Sequence, residues 1–143
     1  MTYIYPVGII QGDRFSPAEA ERKTGIRFSK KNEPGDIGTI GPYRGKPIPY
    51  GSADLALLTP NEDIQGDLTI DNPLIQTLIQ HHATFRACGA TTLYVYLAVG
   101  YEDQCNMAFD TKLMKALGEC DIELWVSCYE RKEEEDGGSL LIS

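Results

Sequence analysis

The chain has 143 residues, 42% of them hydrophobic and 24% charged, which is ordinary for a single globular domain and argues against a disordered or fibrous protein. Its formal net charge is −8, and residues 51–143 hold five basic residues against sixteen acidic ones, so that part would repel nucleic acid and favour a basic protein partner. The longest apolar runs fall far short of the roughly 20 residues of a membrane span, and the N-terminus lacks a signal-peptide pattern, so we expect a cytoplasmic protein with no membrane partner.

The first segment predicts a strand followed by a short helix. Residues 3–10 are rich in β-branched and aromatic side chains, which favour strands. Pro6 lacks a backbone N–H, so we expect a sheet edge or a bulge there. Ser16 is a typical N-cap residue followed by proline, and Gly25 can adopt the left-handed conformation that ends helices. This pattern predicts a helix over residues 17–24.

Residues 29–51 differ from the rest of the chain because prolines and glycines are interleaved there. This composition excludes a helix and predicts a long irregular connection, ordered in part by short hairpin strands around residues 37–40. Residues 53–59 then predict a strand. The polar and acidic residues 60–71 predict a surface loop.

The second half predicts helices that alternate with strands. Asn72 opens a long helix that ends at Gly89, and Asp110 caps a shorter helix that continues to Leu117. Strands are predicted over residues 91–99, 105–109 and 122–128. In the last strand we expect an inward face formed by Ile122, Leu124, Val126 and Cys128.

Together these elements predict an α+β fold with a mainly antiparallel or mixed sheet and about three helices packed on one face. Residues 1–131 would form this single domain. Residues 132–143 contain four consecutive acidic residues followed by two glycines. That composition predicts an acidic, mobile C-terminal tail.

The sequence contains no recognisable catalytic, metal or cofactor motif. Structural zinc ligands usually come in pairs two to four residues apart, whereas the closest cysteines here are eight residues apart. We therefore expect no bound metal, no cofactor and no catalytic residues. We also expect reduced thiols, mostly buried, at Cys88, Cys105, Cys120 and Cys128.

One candidate binding site is aromatic. If the helices cover the aliphatic side of the sheet, alternation along two strands directs four aromatic side chains to the opposite side, namely Tyr94, Tyr96, Trp125 and Tyr129. Large aromatic side chains rarely face water together without a function. Either segment 29–51 folds over these residues, or they bind another chain, where tyrosine and tryptophan are favoured.

A second candidate site lies in a basic stretch. Seven of the thirteen Lys and Arg residues lie between Arg22 and Lys46, where they would form either an anion-binding patch or a solvated helix end and loop. A pocket beneath segment 29–51 would orient an anionic small molecule through Tyr43, Arg44, Lys46 and Tyr50.

Several stretches also carry a resemblance to a known family, namely residues 15–19, 24–26, 113–118 and 122–125. They resemble a family of small bacterial α+β domains of unknown function, some of which are immunity proteins of polymorphic toxin systems. The likeness covers both ends of the chain. It implies a binding role and supplies no catalytic residues.

The leading hypothesis is a non-catalytic binding protein of the bacterial immunity or inhibitor kind, which captures a basic protein partner through an acidic and aromatic surface. One alternative is a small enzyme or ligand-binding domain with its pocket under segment 29–51. A second alternative is a structural or assembly subunit of phage origin. The aromatic surface could also bind a second copy of the same chain and form a homo-oligomer.

Overall fold

A computed structural model describes residues 2–59 and 62–132 of the chain. Six strands lie within these ranges: β1 (Thr2–Gly12), β2 (Lys30–Asn32), β3 (Gly51–Leu55), β4 (Ile64–Gln65), β5 (Thr92–Tyr101) and β6 (Ile122–Glu130). Three α-helices accompany them: α1 (Pro17–Thr24), α2 (Pro73–Ala87) and α3 (Thr111–Glu119). The predicted tail, residues 132–143, lies outside the described residues except for Lys132.

The strands form one mixed sheet in the order β2-β3-β1-β5-β6, and β4 pairs with the first residues of β1. All neighbouring strands are antiparallel except β5 and β6. Parallel neighbours need a crossover connection, and α3 provides it between these two strands. The predicted α+β fold with a mixed sheet and three helices is therefore confirmed.

The core lies on one side of the sheet. Along β1, β3 and β5, buried positions alternate with half-buried ones, so one face of each strand is directed at the helices. The buried side chains of the sheet and the helices form one cluster, which includes Ile4, Ile10, Leu55, Leu93, Val95, Leu97, Val99, Leu74, Leu78, Phe85, Leu113 and Leu117.

The predicted starts of the three helices, and the end of α1 at Gly25, follow from local capping. The predicted end of α3 at Leu117 is wrong, because the helix continues through Gly118 to Glu119. Ser16 Oγ accepts a hydrogen bond from the Glu19 N–H at 3.2 Å, and Gly25 ends α1 with φ of 77°. Asn72 Oδ1 accepts the first free N–H groups of α2, and Asp110 does the same for α3. These caps satisfy orphan backbone donors within a few residues, which explains why sequence alone located the helices.

The prediction of a sheet edge or bulge at Pro6 is wrong. Strand β1 lies inside the sheet and pairs with β5 over residues 2–11. On its other side, β4 pairs with residues 3–4 and β3 with residues 8–12. Pro6 lies in the gap between these two partners, so on that side of β1 no strand requires an N–H from this position.

Other strand predictions also need correction. Residues 105–109 form no strand, and β3 ends at Leu55 instead of residue 59. The predicted surface loop 60–71 contains β4 and the buried Leu68. The predicted hairpin near residues 37–40 is reduced to isolated bridges such as that between Ile37 and Pro47.

The predicted inward face of β6 is buried only at its start. Ile122 is buried and Leu124 half-buried, but Val126 is 41% exposed and Cys128 is exposed. The nine residues of α3 span roughly 13 Å, whereas the nine residues of β6 span roughly 30 Å. Helix α3 is thus too short to cover the second half of the strand.

The expectation of mostly buried thiols is also wrong. Cys88 is buried, but Cys105 and Cys120 are half-buried and Cys128 is exposed. Alternation along β6 directs the Cys128 side chain to the helix side of the sheet. It is nevertheless exposed, because α3 does not extend far enough to cover it.

Three glycines allow backbone segments to meet at the end of the sheet. A Cβ at Gly51 would overlap the carbonyl oxygen of Phe15, and one at Gly12 would overlap that of Gly89. Gly89 itself has φ of +105°, and its Cβ would overlap the carbonyl oxygen of Arg14. Only glycine permits such close backbone approach, so this glycine junction fixes how β1, β3 and the α2–β5 turn meet.

Replacing Gly51 with alanine should lower the free energy of unfolding by roughly 3 kcal/mol or more, because the backbone of Phe15 cannot move without displacing a buried ring. Gly118→Ala in α3 is the matched control, since its Cβ would meet no atom within 4 Å. Alanine should leave stability unchanged there or raise it by up to about 1 kcal/mol. Urea denaturation of both variants measures the difference, and equal effects would contradict the junction.

A carboxylate joins α1 to β2. Glu21 accepts hydrogen bonds from Lys31 Nζ and, at 2.9 Å, from the backbone N–H of Phe28. The bond from Lys31, followed by that from Phe28, lowers the pKa of Glu21 below its ordinary value. Because the pKa is lower in the folded state, this interaction stabilises the fold above the ordinary carboxyl pKa and is lost as the pH falls through the lowered one.

The Glu21→Gln variant should therefore lose about 1–2 kcal/mol of stability at neutral pH. Its control, Glu19→Gln, removes only exposed ion pairs to Arg22 and Lys23 at 3.5 Å and should cost about 0.5 kcal/mol or less. Unfolding curves recorded from neutral to acidic pH should show the Glu21→Gln deficit shrinking as the pH falls. A deficit that persists unchanged in acid would show that the charge is not responsible.

Candidate binding face

The sheet surface opposite the helices carries a row of large side chains. The strand register places Val7, Tyr96 and Trp125 side by side across β1, β5 and β6, and within the described ranges no α-helix packs on this side. We call this surface the open face and define it by Tyr3, Tyr5, Val7, Ile9, Tyr94, Tyr96, Trp125 and Tyr129. The four predicted aromatic residues, Tyr94, Tyr96, Trp125 and Tyr129, are thus brought onto one surface.

Two of these aromatic side chains are held rigidly against each other. The rings of Tyr94 and Trp125 stack with centroids 4.2 Å apart and planes inclined by 15°. Trp125 Nε1 donates a hydrogen bond to Glu123 Oε1 at 2.9 Å. Trp125 nevertheless remains 47% exposed, and Tyr129 53%. Offset stacking of this kind fixes the ring orientation, so the indole presents a pre-formed apolar surface to solvent.

The open face is partly shielded from water at its centre. Burial raises the pKa of the Tyr94 phenol, and the negative charge of Asp54 adds to the effect. Burial also raises the pKa of Asp54, against the opposing influence of Lys30. The Tyr94 hydroxyl and the Asp54 carboxylate are therefore partly shielded from water at this point of the sheet.

The tyrosines of β1 are oriented by neighbouring groups. The Arg131 guanidinium lies 4.0 Å from the ring centroid of Tyr3 and pairs with Asp63 at 3.5 Å. The Tyr5 hydroxyl donates to the carbonyl oxygen of Leu58 at 2.9 Å. Their rings are therefore fixed in place.

Segment 29–51 reaches only one side of the open face. Tyr50 lies near enough to Tyr94 to contribute to its raised pKa, and its ring meets that of Tyr43 edge-on at 6.1 Å. Trp125 and Tyr129 stay exposed. Segment 29–51 therefore covers the aromatic residues in part, on the β3 side of the open face. The β6 side is not covered by this segment and is available to another chain.

A cleft of about 380 Å³ does lie beneath segment 29–51, and its lining includes Lys30, Asp36, Ile37, Ile40 and Asp54. The four predicted pocket residues, Tyr43, Arg44, Lys46 and Tyr50, lie outside this lining. The loop folds on itself, because its glycines pair with their own neighbours: the Gly38 N–H donates to the Lys46 carbonyl and the Gly45 N–H to the Gly38 carbonyl. Arg44 and Lys46 are left exposed.

Sequence reasoning missed the residues that do line the cleft. Lys30 and Asp54 are paired across β2 and β3. No local sequence pattern predicts a contact between residues that are so distant in sequence. The basic stretch is also partly neutralised, since Arg22 and Lys23 pair with Glu19, and Lys31 pairs with Glu21.

The described residues contain neither a metal-binding cluster nor a membrane-spanning helix. Among residues 2–59 and 62–132, no group of three or more His, Cys, Asp or Glu side chains is placed to hold a metal ion. None of the helices in the described part of the chain is long and apolar enough to cross a bilayer. Comparison with protein-family models, curated proteins and solved structures finds no significant match. The resemblance to the small bacterial family stays a prediction.

Because Trp125 is half exposed, the Trp125→Ala variant should lose clearly less stability than the roughly 3–5 kcal/mol expected for truncating a buried large aromatic side chain. Phe85→Ala is the matched control, since Phe85 is fully buried in α2. Both variants would be compared with the unaltered chain by denaturant unfolding. Equal losses would show that the indole belongs to the core and that the open face is covered.

Proposed function

We propose that this chain is a non-catalytic binding protein that captures a basic protein partner through the β6 side of the open face. The exposed Trp125, stacked on Tyr94, carries this proposal. Tryptophan and tyrosine supply most of the binding energy in many protein interfaces. An indole already fixed by stacking loses little conformational freedom on binding, so more of the contact energy appears as affinity.

The second half of β6 enlarges the surface available to a partner. Tyr129 points to the open face, while Val126 and Cys128 on the other side extend beyond the cover of α3. Among the described strands, only β5 pairs with β6. A partner can thus contact the strand on both faces and at the edge where no strand of the described residues pairs with it, which favours strand addition.

The charge around this surface favours a basic partner. Glu123 is hydrogen-bonded to the indole itself, and three further exposed carboxylates lie at the end of β6 and just after β5: Glu130, Glu102 and Asp103. The whole chain has a formal net charge of −8. Complementary charge speeds the encounter and helps to exclude acidic partners, while the aromatic contacts determine dissociation.

An inhibitor or immunity protein is the kind of binding protein that this surface suits best, because such proteins work by covering a site on another protein and need no catalytic group of their own. A bacterial, cytoplasmic setting is part of this proposal, and its bacterial element rests on the sequence resemblance described above.

One observation favours a second candidate function, the binding of a small molecule. The cleft under segment 29–51 combines apolar Ile37 and Ile40 with the opposed charges of Lys30 and Asp54. A zwitterionic or hydrogen-bonding ligand would fit such a lining. Any such ligand would contact the β2 side of the sheet, which makes the two candidates separable by mutation.

The test begins with capture of binding proteins on the immobilised chain at low salt, followed by dissociation constants for each purified candidate. Trp125→Ala should weaken binding by about 30-fold or more, the effect expected of a hot-spot residue. The matched control is Met114→Ala, because Met114 is 56% exposed on α3, away from the open face. Binding by the control should match that of the unaltered chain, and affinity should fall as salt rises.

Equal binding by the Trp125→Ala and Met114→Ala variants would overturn the proposed surface. An acidic partner, or a partner whose affinity does not change with salt concentration, would overturn the proposal that charge complementarity contributes to binding. If no protein is bound specifically but a small molecule binds the purified chain and is lost on Ile40→Asp substitution in the cleft, the second candidate replaces the first.

A further inference from the structure

Two cysteines that are distant in sequence lie beside one another in the fold. The Sγ atoms of Cys105 and Cys128 are 3.7 Å apart although 23 residues separate them. Cys128 is exposed on β6, and Cys105 is half-buried in the irregular segment that follows β5. We propose that this pair is a thiol–disulfide exchange site, which forms a reversible intrachain disulfide with a low-molecular-weight disulfide of the glutathione class as oxidant.

The geometry requires little movement. A disulfide has an S–S distance of about 2.05 Å, so the two sulfur atoms must approach by less than roughly 2 Å. Residues 105–109 belong to no helix or strand, so Cys105 can move without breaking a ladder of backbone hydrogen bonds. Cys128 lies in the part of β6 that α3 does not cover, so a soluble disulfide can reach its sulfur.

Exposure assigns the order of the two steps. The Cys128 thiolate attacks one sulfur of the small disulfide, forms a mixed disulfide with it and releases one small thiol. The Cys105 thiol then loses its proton and attacks Cys128 Sγ, which releases the second small thiol and closes the intrachain bond. Two protein thiols are thus oxidised and one small disulfide is reduced to two thiols.

The rate of exchange is limited by the thiolate population. Partial desolvation of the Cys128 sulfur, followed by its hydrogen bond to Cys105, raises the pKa of Cys128, so little thiolate is present at neutral pH and exchange is slow. The bond therefore responds to sustained oxidising conditions. Once formed, it ties the segment after β5 to β6 next to Tyr129 and restricts the unfolded chain, which raises the thermal stability.

The experiment incubates the folded full-length chain with oxidised glutathione for hours, then measures intact mass, free thiols and peptide maps. We expect the loss of two hydrogens and two free thiols, a peptide pair linking Cys105 to Cys128, and a rise in Tm of several degrees that a reductant reverses. Cys120→Ser should behave like the unaltered chain, because the half-buried Cys120 is not part of the pair.

The single variants test the order of steps. Cys105→Ser should stop at the mixed disulfide, with Cys128 carrying one glutathione. In Cys128→Ser, the thiols of Cys105 and Cys120 should stay reduced for longer than the Cys105 and Cys128 thiols of the unaltered chain. Retention of all four thiols in the unaltered chain would overturn the proposal. So would a linkage between chains, or an intrachain linkage that involves Cys88 or Cys120.

Discussion

Gly51 has no room for a side chain, because the carbonyl oxygen of Phe15 occupies the place that a Cβ would take. Around this contact the end of β1, the start of β3 and the turn before β5 converge. The Ser16 N–H donates to the Cys88 carbonyl at 3.0 Å, and the Thr91 N–H donates to the Gln11 carbonyl at 2.8 Å. These bonds hold Phe15 fully buried beneath the sheet. The register of the three central strands depends on this backbone junction.

That register determines which surfaces remain for function. With the central strands fixed, alternation directs aliphatic side chains to the helices and aromatic ones to the opposite side. Helix α3 then crosses from β5 to β6, and its length is less than half that of the strand it covers. The uncovered part of β6 contains both Tyr129 on the open face and Cys128 on the other. One short crossover helix thus leaves exposed both the proposed binding surface and the proposed exchange site.

The common face of the aromatic side chains could be predicted because it follows from periodicity alone. Alternation along β5 and β6 needs no knowledge of other segments, so it predicts that Tyr94, Tyr96 and Trp125 share a face, as the register confirms. The charged pocket could not be predicted in the same way. Which side chains line a cleft under segment 29–51 depends on how that loop pairs with itself and on β2 lying beside β3, and composition indicates neither.

The sequence by itself determined the α+β class, the capped N-terminal ends of the helices and the alternating faces of the long strands, because each depends on residues within one or two turns of chain. Only the tertiary structure decided that Pro6 lies inside the sheet, that Val126 is exposed, and that Cys105 meets Cys128. Each of these depends on which distant segment lies alongside and how far it extends. Such information arises from packing across the whole chain and is absent from any local pattern.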